Sequence, residues 1–292
     1  MKFKILRSNF FNTLSHLQGI VDKKNSLPIL SNILIEAKEN ALTLSSTDMD
    51  LSIIEKIDCN VFEDGATTIN SQILYDIVRK IDDNSEIEII SNDGKLLTLR
   101  SNVSRFSLAC LPKEDFPIID QNNSGVNIKI NSQIIFKLID KTKFAISNEE
   151  TRYFLNGLYF NINKEQNKNI VTLVGTDGHR LAKFSHHIED NIDEVSGVII
   201  PKKTIYELSK LLSERDQSVL ISISSNKIIF TIGNIIFISK LIDGSFPDYK
   251  RVIPKDNLNI LKVNREILLS AVDRVSTIAN EKSPVIKFKL LQ

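Results

Sequence analysis

Two spacings of apolar side chains alternate along the chain. Ile134, Ile135, Leu138 and Ile139 fall three and four apart and predict a helix with one buried stripe. Ile73, Leu74, Ile77, Val78 and Ile81 predict a second such stripe. Between these helical stretches the apolar positions alternate, the pattern of half-buried strands. Start signals support the helices. Ser8 or Asn9 is placed to cap one near the N-terminus, Asn131 a second and Asn264 a third. Pro201 is expected in the first turn of another, where a missing N–H costs nothing.

The pattern repeats. Thr47-Asp48 in LSSTDMDLSI corresponds to Thr176-Asp177 in LVGTDGHRLAK, Tyr75 to Tyr206, and Phe116-Pro117 to Phe246-Pro247, always about 130 positions apart. The openings also match: FKILRSNFFNTLSHL from Phe3, IKINSQIIFKLIDKT from Ile128 and LKVNREILLSAVDRV from Leu261. The chain thus reads as two complete units and the start of a third, over 1–124, 125–255 and 256–292. The boundaries are expected in polar, turn-rich stretches around Asn123 and Asp256. Each unit combines two helices with mostly antiparallel strands, an α+β class.

Composition narrows the function. The 292 residues carry 37 basic and 36 acidic side chains, a net charge of +1. That excludes a uniformly basic nucleic-acid coat but allows a basic face. Cys59 and Cys110 form neither a metal spacing nor a disulfide framework, so a reducing cytoplasmic setting and small core cysteines are expected. No stretch approaches the roughly 18 apolar residues of a membrane span.

The segment TDGHRLAKF resembles a reactive centre, because Asp177, His179 and Arg180 crowd together. A hydrolase built there would need a nucleophile or a metal, and no HExxH, GxSxG or phosphate loop accompanies it. The matching stretch, TDMDLSI, keeps Thr and Asp without His or Arg. The pair is therefore expected to build a turn in which Asp accepts from nearby backbone, leaving a binding surface as the favoured role of the rest. Asp48 and Asp50 are two apart and expected on one strand face, with a solvated turn favoured over a cation site. His186 and His187 should point to opposite faces, which argues against shared metal ligation.

LPILSNILI (27–35), RFSLACLPKEDFP (105–117), RYFLNGLYF (152–160), VGTDGHRLA (174–182), SKLIDGSFPDYKRVIP (239–254) and NEK (280–282) run in order along the whole chain. Together they resemble the sliding-clamp family, the β subunits of bacterial DNA polymerase III. The resemblance implies the DNA clamp fold and a non-catalytic processivity factor without metal or cofactor. It implies a homodimeric six-domain ring around duplex DNA, with helices lining the hole. Its implied partners are the DNA polymerase III α subunit, the clamp loader and repair polymerases. Family members have three full domains, so the chain is expected to end within its third. A shortened form that binds partners without encircling DNA is the alternative.

The resemblance also implies sites. A peptide groove between domains two and three would use Leu155, Leu181, Pro247 and Val252 as apolar walls. Thr176, Gly178, His179, Arg180 and Arg251 would join them, with Arg152 at the edge. DNA would be met by Lys24, Lys202 and Lys203. Lys137, Lys141 and Arg79 add charge on the helices. A dimer interface would join Arg105, Phe106 and Leu108, on an expected edge strand, to Ile278.

Overall fold

The computed structural model describes residues 1–21, 27–92, 94–122, 125–165, 168–188, 195–213, 215–279 and 285–289. Lys24, Asn123 and 280–282 lie outside them. Two compact units are present, Met1–Phe246 and Pro247–Gln292.

The first unit contains two repeats of one plan. The first repeat runs β1 (Lys2–Leu6), α1 (Arg7–Gln18), β2 (Asn32–Lys38), β3 (Ala41–Thr47), β4 (Leu51–Asp58), β5 (Asn60–Glu63), β6 (Gly65–Asn70), α2 (Ser71–Arg79), β7 (Glu86–Ser91), β8 (Leu96–Ser101) and β9 (Ser104–Leu111). The second runs β10 (Val126–Asn131), α3 (Ser132–Asp140), β11 (Gly157–Glu165), β12 (Lys168–Thr176), β13 (Leu181–Ile188), β14 (Val195–Pro201), α4 (Lys202–Leu212), β15 (Ser218–Ile223), β16 (Lys227–Ile232) and β17 (Ile235–Lys240).

Every ladder is antiparallel, and each repeat uses the same two strand orders. One is β1-β7-β8-β9, matched by β10-β15-β16-β17; the other is β4-β3-β2-β6, matched by β13-β12-β11-β14. Residues 235–239 of β17 pair with 55–51 of β4, so one sheet runs from the first repeat into the second. Ile53 and Phe237, a register pair at this seam, are fully buried.

The helices form because their apolar stripes face these sheets. Ile135, Leu138 and Ile139 of α3 are buried, and Ile134 packs at the core margin. Asn131 caps α3 by accepting from Gln133 N–H at 2.8 Å. α1 departs from expectation. It begins one residue before Ser8, with Leu6 at the cap position and no side-chain cap. Its first N–H instead donates to Ser85 O at 2.9 Å. Buried Arg7 then caps a different helix, donating to the α2 carbonyls of Val78 (3.0 Å) and Arg79 (2.8 Å) and pairing with Asp83.

Three smaller expectations also change. Pro201 ends β14 as the cap residue of α4 and lies outside its first turn. In α2, Leu74 and Val78 are buried, but Ile73 is half exposed and Ile81 lies past the helix end. Cys59 and Cys110 are only partly buried, at the core margin. Burial, with Asp58 beside it, pushes the Cys59 thiol up to about 11.

In the second unit α5 (Arg265–Ser276) is capped as expected: Asn264 Oδ1 accepts from Glu266 N–H (2.9 Å) and Ile267 N–H (3.1 Å).

Candidate partner groove, helix face and sheet edges

The Thr176-Asp177 turn joins β12 to β13 and is held by its own side chains. Thr176 Oγ1 accepts from Gly178 N–H (3.1 Å) and donates to Arg180 O (2.7 Å). Asp177 Oδ1 accepts from the N–H groups of His179 (2.9 Å) and Arg180 (3.0 Å), while Oδ2 accepts from Arg180 Nε at 3.0 Å. Burial pushes the Asp177 carboxyl up. The two N–H groups and the Arg180 guanidinium outweigh it and hold the group below its ordinary value. Such a carboxylate is committed to the turn as an ionised acceptor. Among the described residues no bond joins it to the His179 ring, so the two do not form an acid–histidine pair.

The same turn recurs in the first repeat. Thr47 Oγ1 accepts from Met49 N–H at 3.0 Å, and Asp48 Oδ1 accepts from Asp50 (3.0 Å) and Leu51 (2.7 Å) N–H. Asp48 and Asp50 are thus turn residues and not neighbours on a strand face. Each has its own cation: Lys203 Nζ lies 2.5 Å from Asp48, and Lys240 Nζ lies 2.9 Å from Asp50. Among the described residues no cluster of metal-ligating side chains occurs. No described helix is long and apolar enough to cross a membrane.

The groove residues divide between the units. In the first, His179 and Arg180 are exposed, and Leu181 and Thr176 are half-buried. Arg180 lies over the Phe144 ring at 5.8 Å. Arg152 is drawn to Glu149, with Nε at 2.8 Å from Oε2. Leu155 is buried, so it can support a groove but cannot be an open wall. In the second unit Pro247, Arg251 and Val252 are exposed, and Arg251 Nε pairs with Asp248 Oδ2 at 2.8 Å.

The basic residues selected for DNA are more engaged than expected. Lys203 donates to Ile20 O (2.8 Å) as well as to Asp48, which ties the start of α4 to the first repeat. Lys202 bonds Asn148 and lies over Tyr206. Lys137 lies over Phe184, Lys141 is 3.9 Å from Asp140, and Arg79 is 3.4 Å from Asp76. Lys137, Lys141 and Arg79 stay exposed.

The strand carrying Arg105, Phe106 and Leu108 is an edge over only part of its length. Residues 104–109 of β9 pair with β8; beyond them, Cys110 and Leu111 pair with Ile69 and Thr68 of β6. Beside the open part, Ile73, Ile77, Ile81, Val103 and Phe106 line a cleft of about 490 Å³. Ile278, in the second unit, is exposed.

One polar cluster escaped the sequence reading. His16 Nδ1 is 2.8 Å from Glu55 Oε2, Arg215 Nη2 is 3.4 Å from His16 Nε2, and Asn234 Nδ2 donates to Lys56 O at 2.9 Å. These five residues span some 200 positions and share no motif. A single acid inside the apolar run LSIIEKI was the available signal.

With this geometry in place, the matches to known proteins decide the family. Residues 1–120 match the DNA polymerase III β subunit N-terminal domain, and residues 129–248 match its central domain. The β sliding clamp of Caulobacter vibrioides is 40% identical over 288 residues, covering 98% of this chain and 77% of that protein. The chain belongs to the β sliding clamp family. The Escherichia coli K12 clamp is 35% identical, covering 97% and 76% of the two chains. Among solved structures, a Bartonella birtlesii clamp bound to griselimycin superposes with a TM-score of 0.90 at 43% identity, again covering 97% and 76%. The chain therefore spans about three quarters of the length of these relatives. As a family member it is an α+β clamp-fold protein of DNA replication. It acts as a processivity factor with DNA and DNA polymerase as partners, and as a non-catalytic subunit of the polymerase III assembly.

Proposed function

We propose that the chain works as part of a closed ring of repeated domains around duplex DNA, and that a homodimer completes the ring. One observation carries this reading: among the described residues the seam inside the chain leaves two unpaired copies of its own halves. β17 of the second repeat adds to β4 of the first. The counterpart of β17 is β9, open along 105–109; the counterpart of β4 is β13, the end strand of its sheet. A seam that uses different surfaces on its two sides, repeated at a fixed rotation, closes into a ring. An open strand edge is also a liability unless a partner covers it. Phe106 and the cleft beside it supply apolar area for that contact, with Arg105 and Leu108 along the strand and Ile278 on the opposing side.

This reading divides the chain into domains 1–124, 125–255 and the opening of a third at 256–292. The groove at the Thr176-Asp177 turn receives short peptide segments of the polymerase α subunit, the clamp loader and repair polymerases. In the first unit Leu181 gives apolar anchoring, and Arg180 and His179 offer donors for peptide carbonyls or a carboxylate; in the second unit Pro247, Val252 and Arg251 are exposed and offer the same chemistry. Lys137, Lys141, Arg79, Lys202 and Lys24 attract phosphates without reading bases, so the ring can slide. Lys203 is primarily a seam residue. The setting is cytoplasmic.

Light scattering after size exclusion tests the ring. A concentration-dependent dimer that Phe106→Asp converts to monomer is expected. A monomer at every concentration would show that a second copy of this chain does not cover the edges.

A further inference from the structure

The geometry points to a seat for a backbone phosphate of duplex DNA at the seam between the repeats, with the Arg215 guanidinium as its main ligand. The inference rests on the reading of the chain as a DNA-encircling clamp. A cavity of about 500 Å³ opens there, lined among others by Asn9, Asn12, Ser15, His16, Lys210 and Arg215.

The cavity stands where the repeat places basic residues. Aligning the cap residues Leu6 and Asn131 sets α1 against α3. Asn12 then corresponds to Lys137 and His16 to Lys141. Aligning Asn70 with Pro201 sets Lys210 against Arg79. The exposed basic face of the second repeat therefore has a polar, uncharged version on α1, and Arg215 supplies a cation beside it.

Arg215 suits the task. Its guanidinium has five donors, and among the described residues it makes one hydrogen bond and no ion pair. By contrast, Lys210 beside it is paired with Glu207 at 2.7 Å, and Lys203 is held by Asp48. A planar fork with donors to spare matches phosphate oxygens. The amides of Asn9 and Asn12 add neutral donors of the kind that contact phosphates without sequence preference.

The acid in the cavity positions this group and does not oppose it. The Glu55 side chain is 5% exposed and lies against His16. Arginine can only donate, so His16 Nε2 is the acceptor and Nδ1 carries the proton toward Glu55. Glu55 thus fixes the tautomer, and the ring orients the guanidinium. Asn234 Nδ2 lies 3.5 Å from the second Glu55 oxygen.

The test is anisotropy of labelled 20-base-pair duplexes of two unrelated sequences, with the 292-residue chain, across a KCl series. Arg215→Ala should weaken binding equally for both sequences and lower the slope of log affinity against log salt by about one. Arg215→Lys should keep the slope and lose part of the affinity. An unchanged slope and affinity in Arg215→Ala, with salt-dependent binding by the parent chain, would overturn the seat and leave the clamp reading standing. No salt-dependent binding by the parent chain would overturn both. Inorganic phosphate that competes with the parent chain but not with Arg215→Ala would support the seat. If phosphate bound at Arg215 while duplex binding ignored the substitution, the ligand would be a free anion and the assignment to DNA would fall.

Discussion

In the first repeat the Thr47-Asp48 turn is engaged from outside. Lys203 Nζ reaches Asp48 at 2.5 Å, Lys240 Nζ reaches Asp50 at 2.9 Å, and Lys240 N–H donates to Asp50 O at 2.8 Å. In the second repeat the Thr176-Asp177 turn keeps the same internal bonds, but its side-chain ion pair is with its own Arg180. One local structure therefore serves two purposes. The first copy is used up in joining repeats; the second leaves His179 and Arg180 exposed and Leu181 half-buried, as the proposed groove would require. Residues common to both copies, Thr and Asp, build the turn. Residues found in only one copy show what that copy does.

The comparison breaks most decisively at the seam. Phe237→Ala removes a fully buried ring that faces Ile53 of the other repeat. A cost of about 3–5 kcal/mol is expected for such a cavity. Urea unfolding should show it as one cooperative loss, because the sheet runs through both repeats. Two separated transitions, with only the second repeat weakened, would mean that the seam is a contact between independent domains.

A smaller effect is expected at the exposed copy. Leu181→Ala and Arg251→Ala should each weaken a clamp-binding peptide about tenfold while unfolding stays unchanged, the pattern of a few anchors carrying most of the affinity. Matching variants of the first-repeat turn, Asp50→Ala and Met49→Ala, should leave the titration alone. Equal weakening by both sets would erase the distinction between an occupied turn and a presenting one.

How far the sequence carried this picture depends on the distance between interacting residues. Both Thr-Asp turns were legible because Asp48 and Asp177 act on N–H groups two and three residues ahead. Helix stripes were legible for the same reason, as at Ile135, Leu138 and Ile139. The family and its function followed from motifs running along the whole chain. What failed was non-local. The first N–H of α1 is met by Ser85 O, roughly 80 positions away, so a local search placed the cap at Ser8 or Asn9. The pairing of Lys203 with Asp48 was not legible, because the carboxylate lies 155 residues away. The Glu55-His16-Arg215 relay has no period at all. Its first contact joins α1 to β4 within the first repeat, and Arg215 reaches it from the second repeat, 199 positions away.

The finest test concerns the residue at the apex of each turn. Gly178 has φ of +89° and Met49 has φ of +81°, the left-handed region that costs a side-chain-bearing residue about 1–2 kcal/mol. The two turns therefore share a backbone, and only one has the residue that suits it. Met49→Gly should remove that strain at the cost of added freedom in the unfolded chain, for a net gain of a few tenths to about 1 kcal/mol. Gly178→Ala should lose about 1 kcal/mol, and its new methyl would sit 2.7 Å from Arg152 Nη1, so that side chain must shift. Opposite signs in thermal unfolding would establish that both turns pay the same backbone cost. A loss in both would mean that the Met49 side chain, half exposed beside the seam, contributes more by packing than its backbone costs. The first turn would then be specialised at its apex as well as at its acids.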